Sequence, residues 1–107
     1  MMRPGEVVVV YLRDPRERIW GVLRTLDGIG VTVEGFDVDG FDSWLRDVES
    51  GSGGRERMSV VFFPMNRVER LLLDRGSSDI RSLSERFFER VGLTVAAYLN
   101  VRPESDE

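Results

Sequence analysis

The stretch GVLRTLDGIGVTVEG, residues 21–35, constrains the fold more than any other part of the chain. Apolar and β-branched residues flank Asp27-Gly28, a pair that reverses a chain sharply because Asp bonds its own downstream amides and Gly tolerates either sign of φ. The stretch therefore reads as two antiparallel strands around a tight turn. From Ile19 to Leu26 apolar residues occupy both alternating faces, Trp20, Val22 and Leu26 on one and Ile19 and Leu23 on the other. A strand covered on both sides suits a strongly curved sheet, and Gly21 marks a bend or a close backbone approach.

Further strands frame this hairpin. Val7 to Leu12 is β-branched and aromatic and ends at RDPRER, where Asp14 and Pro15 supply turn chemistry. Beyond the hairpin, Asp42 or Ser43 can cap a short helix running through Glu49, with Trp44, Leu45 and Val48 as its apolar side. Ser50 to Gly54 has the composition of a flexible linker. Met58 to Phe63 and Val68 to Asp74 read as strands, and Pro64 between them belongs at an edge, bulge or strand end because it lacks a donor. Ser82 and Glu85 then form a capping box, while Ile80, Leu83, Phe87 and Val91 recur at helical spacing. Gly92 ends that helix, Thr94 caps a last segment, VAAYLN, and RPESDE is an acidic tail expected to fray.

The expected fold class is mainly β, a small five-stranded barrel with helical additions. Barrel strands are expected over about 5–36 and 57–74, a helical insertion between strands 3 and 4 at about 41–49, and a C-terminal helix at about 80–99. A chain of 107 residues supports one modest core, so a single domain over 1–107 is expected, with any site on its surface or between subunits.

Composition narrows the chemistry. Cys and His are absent, and the Ser and Thr residues fall in caps, turns and strands without a base partner, so no catalytic residue, metal set or cofactor motif emerges and the chain reads as non-enzymatic. The net charge of −4 disfavours nonspecific binding to RNA or DNA, which depends on neutralising phosphates. All 15 basic residues are Arg, which suits bidentate recognition but is more simply read as a GC-rich genome spelling its cations as Arg. The longest apolar run, VVVVYL, is too short to cross a bilayer, and the N-terminus lacks the pattern of a signal peptide, so a cytoplasmic protein without membrane attachment is expected.

Gly21-x-Leu23-x-x-Leu26-Asp27 with its β-branched return strand resembles the first signature of the Sm and Sm-like family, which includes the bacterial Hfq proteins. VVFFPMNRVERLLLD is similar to the second signature, in which two strands meet at a short loop. The resemblance spans Val7 to Leu73 around the helical insertion and implies an SH3-like barrel that assembles into homo-oligomeric rings, the fourth strand of one subunit pairing with the fifth of the next. Here those edges are residues 58–63 and 68–73. It also implies RNA, not DNA, as the ligand, contacted by Asn66, Arg67 and Arg70 together with the facing turn Asp27, Gly28 and Ile29. The family's loop residues are incompletely matched: DGIG lacks the Asn and the stacking ring, and PMNR lacks Arg-Gly. A protein-interaction or scaffold module on the same barrel is therefore the alternative.

Other constellations have simpler readings beside their functional ones. Asp37, Asp39 and Asp42 can serve acid–base chemistry or a cation, yet an acidic loop entering a helix N-terminus looks the same. Arg13, Arg16 and Arg18 can meet a phosphate, but Asp14 and Glu17 stand between them, and no two of these arginines have the spacing of a cyclic-dinucleotide-binding PilZ barrel. Trp20 and Trp44 can stack bases or pack the inserted helix. Phe88 lies off the apolar stripe and suits contact between subunits.

Overall fold

The computed structural model describes residues 2–76 and 81–100. Strands β1 (Val7–Leu12), β2 (Glu17–Leu26), β3 (Gly30–Asp37), β4 (Ser59–Pro64) and β5 (Val68–Leu73) form one antiparallel sheet in the order β4-β3-β2-β1-β5. Helix α1 (Phe41–Glu49) joins β3 to β4, and α2 (Leu83–Val91) and α3 (Val95–Leu99) follow β5. The sheet is open: β4 pairs with β3 and β5 with β1, and no ladder joins β4 to β5 among the described residues. Pro64 and the 3-10 turn Met65–Arg67 end β4 and redirect the chain to the far side of β1.

The Asp27 turn is built as its composition requires. Its Oδ1 accepts from the amides of Ile29 (2.8 Å) and Gly30 (3.2 Å), and its own amide donates to the Gly30 carbonyl at 3.1 Å. Gly21 lies opposite Gly35, where an added Cβ would stand 2.3 Å from the Glu34 carbonyl oxygen. No side chain fits so close an approach.

Both faces of the sheet are apolar. One, with Trp20 and Val22, packs against Phe41, Trp44, Leu45 and Val48 of α1, Phe87 of α2, and Val95 and Leu99 of α3. The other gathers side chains from all five strands, including Val8, Leu23, Val33, Phe63 and Leu71, so the sheet curls around a second core. Leu26 does not share the Trp20 face as strict alternation predicts. A bulge at Arg24 shifts the β2–β3 register, so Leu26 pairs with Val31 and turns to the other side.

Trp20 and Trp44 are both fully buried, 5.4 Å apart between ring centroids, which settles them as core rather than as a stacking platform. Trp44 stacks on Phe87 and donates its indole N–H to the Gly54 carbonyl at 3.0 Å. That bond ties the stretch 50–54, which by composition reads as a linker, to the core. The Ser52 and Gly53 amides both donate to the Asp47 carbonyl at 2.9 Å, and the Tyr98 hydroxyl donates to the Gly53 carbonyl.

Helix α1 starts from Gly40 without a side-chain cap. Asp37 caps the preceding 3-10 turn through the Asp39 amide (2.9 Å), a role that neither Asp42 nor Ser43 takes for α1. At α2 the Ser82–Glu85 capping box is complete, Gly92 ends the helix at φ 86°, and Thr94 caps α3 by accepting from the Ala97 amide, so the C-terminal helical span consists of two helices as its stop and cap signals require. Ile80 and the acidic tail lie outside the described residues. No helix among the described residues is long and apolar enough to cross a membrane.

Candidate functional site

The outer edge of β4 is an exposed apolar surface. Val60 is 66% exposed and Phe62 50%, with Val61 beside them on the strand, and Ile29 and Met65 are exposed at the adjoining turns. Ser59 through Pro64 carries no charge. The polarity of this edge follows from Pro64. Without an N–H, Pro64 forms a non-hydrogen-bonded pair with Gly30, as the Met65 amide donating to the Ile29 carbonyl at 2.8 Å requires. Alternation along the ladder then directs the N–H and C=O groups of Phe62 and Val60 away from β3, into the open edge. The Phe62 ring lies over Gly30, whose missing side chain makes room for it.

The residues singled out in the sequence divide between two places. Asp27, Gly28 and Ile29 stand beside Met65 and Asn66, so the two predicted loops do meet at the end of β4. Asn66 is exposed there, and Ile29 is 75% exposed. The Asp27 carboxylate is occupied by its own turn.

Arg67 turns the other way. Its Nε donates to the Arg13 carbonyl (3.0 Å) and its Nη2 to the Pro15 carbonyl (2.8 Å) and to Glu17 Oε1 (2.9 Å), clasping the β1–β2 turn. Arg70 lies over the Tyr11 ring, 4.3 Å from its centroid, in a cleft of about 370 Å³ that also holds Glu17, Asp37, Asp39 and Glu69. These acids offset the arginines there.

Behind β4, Glu34 is held between Arg24 and Arg55. Arg55 bonds both carboxylate oxygens at 2.9 Å, and Arg24 donates from Nε at 3.0 Å and again from Nη2. The Arg55 hydrogen bonds, reinforced by Arg24, hold the Glu34 carboxyl at about 2 despite its burial, and Glu34 in turn raises Arg55. The acidic run is otherwise accounted for by the Asp37 cap and by an ion pair between Asp42 and Arg86. Among the described residues no cluster of acids could hold a metal ion.

Sequence reading missed the Glu34 triad because Arg55 reaches Glu34 from the turn before β4, a contact that only the fold creates. It also missed Asp74, which accepts from the Trp20 indole at 2.8 Å and from the Ser84 amide at 2.7 Å. No protein-family model matches the chain, and no curated protein and no solved structure matches it at a significant level.

Proposed function

We propose that the chain is a non-enzymatic, Sm-like interaction module that self-associates through a sheet edge. The observation that carries this is the edge of β4: uncharged, exposed at Val60 and Phe62, with two residues directing unpaired backbone groups outward. Such an edge attracts another strand unless something covers it. The strand order leaves β4 and β5 as the two open edges, as the family resemblance expects. The exposed apolar turn at Ile29 and Met65 extends the surface that contact would bury.

RNA contact at the same end of the sheet is the second reading. Exposed Asn66 beside the Asp27 turn favours it, while Arg67 and Arg70 are engaged within the chain and the net charge of −4 opposes it. Molar mass by size-exclusion chromatography with light scattering at two concentrations tests the first reading. A mass above the monomer's at both concentrations is expected; a monomer at both rejects self-association.

A further inference from the structure

The two edges of the sheet are not equivalent. On β5 the Leu73 carbonyl already accepts from the Arg75 amide at 2.9 Å and the Val68 carbonyl from Arg13 Nη2 at 3.0 Å. That strand also carries Glu69 and Arg70 and skips a residue in its register with β1. Charges and a bulge of this kind blunt an edge. β4 has none of these devices except Pro64 at its very end.

We propose that β4 pairs with β4 of a second copy, antiparallel about a two-fold axis at Val61, joining two five-stranded sheets into one. This deepens the proposal of self-association, and rests on it, by naming the strand that fills the edge. The outward groups of β4 belong to Val60 and Phe62, so an antiparallel copy centred on Val61 sets Val60 against Phe62 and Phe62 against Val60, both pairs hydrogen-bonded.

The same register places Pro64, which has no N–H, opposite Met58, whose N–H already donates to the Arg55 carbonyl at 2.9 Å. Neither strand is then left with an unanswered donor at its end. Charge is compatible as well. No charged residue lies within the paired segment, and the Arg55–Arg57 turn of one copy approaches the Met65–Arg67 turn of the other. There Glu56, which has no partner among the described residues, meets exposed Asn66, and Arg55 and Arg57 are already matched to Glu34 and Asp47. A β4–β5 contact between copies would instead set the open edge against a bulged, charged strand whose Leu73 and Val68 carbonyls are already bonded.

The chain has no cysteine, so a single Val61→Cys substitution gives a clean test. At the two-fold axis the two Val61 positions form a non-hydrogen-bonded pair with Cα atoms about 4.5 Å apart, inside the range a disulfide spans. Val61 itself is 37% exposed, so the substitution leaves the fold intact. Mild oxidation of V61C is expected to convert most of the protein to a covalent dimer. F62C alone, displaced from its own symmetry mate, should give less than a tenth as much. In parallel, light scattering of the unmodified protein should give twice the monomer mass, and V60K should return it to a monomer with an unchanged circular dichroism spectrum. A mass of two or more subunits without the V61C crosslink overturns β4–β4 pairing and leaves self-association standing. A monomer that does not crosslink overturns both.

Discussion

Arg55 grips Glu34 in a bidentate pair, Nε to Oε2 and Nη2 to Oε1, both at 2.9 Å, with the carboxylate only 11% exposed. The pair ties the turn before β4 to the middle of β3, directly behind Val60. Because the folded-state pKa, about 2, lies below the ordinary 4.5, the stabilisation is fully present above pH 4.5 and is lost as pH falls toward 2. The shift corresponds to about 3 kcal/mol. Urea unfolding of the wild type and of Glu34→Gln between pH 7 and pH 2 should show two stability curves that converge at the acid end. A constant gap over that range would refute the assignment.

Arg67 serves the fold, and Asn66 does not. Arg67→Ala removes three bonds that hold the β1–β2 turn and should destabilise by about 1–3 kcal/mol, whereas exposed Asn66→Ala should change stability by less than about 0.5 kcal/mol. Chemical denaturation separates the two. If RNA binds at this end of the sheet, Asn66→Ala is the variant whose loss of affinity can be read without correction for folding.

The glycine pair gives a sharper contrast. Gly21→Ala would drive a methyl into the Glu34 carbonyl, and Gly35→Ala would place one 2.0 Å from the Trp20 carbonyl. Each should lower stability by about 3 kcal/mol or more, since neighbouring backbone cannot move aside as a side chain can. Gly28→Ala, with nothing within 4 Å of the added carbon, should fall within about 1 kcal/mol of wild type on the same denaturation assay.

Local signals carried most of the fold. Alternation and turn chemistry placed β1 to β5, and the Ser82–Glu85 box and Gly92 fixed both ends of α2, because each depends on residues near in sequence. What sequence could not reveal depends on tertiary contact. The bulge at Arg24 moved Leu26 to the other face, and the Trp44 indole bonds to a Gly-Ser stretch that by composition reads only as a linker. At the candidate site the loops that meet were legible from their place at the ends of adjacent strands. The direction of the Arg67 side chain was not, because a guanidinium takes whichever carbonyls the fold brings near it, and here these belong to a turn about fifty residues away.

Asp74 fastens the sheet to α2 and gives the most selective prediction. Its Oδ2 accepts from the Trp20 indole N–H (2.8 Å), the Ser84 amide (2.7 Å) and the Ser84 hydroxyl (2.6 Å), and its Oδ1 from the Leu83 amide (3.2 Å). It therefore joins a core tryptophan of β2 to the first turn of α2, where orphan amides and the helix dipole both favour negative charge. Asp74→Ala leaves the indole donor of a fully buried ring unanswered and should destabilise by about 2–4 kcal/mol. Ser84→Ala removes one donor and keeps the carboxylate, so its effect should stay near 1 kcal/mol. Because the Ser82–Glu85 box still starts the helix, Asp74→Ala should loosen the docking of α2 before it melts the sheet. Amide hydrogen exchange is expected to quicken first across Leu83–Val91 while β2 and β3 stay protected; equal quickening in both would mean that Asp74 supports the sheet as a whole rather than the helix's attachment to it.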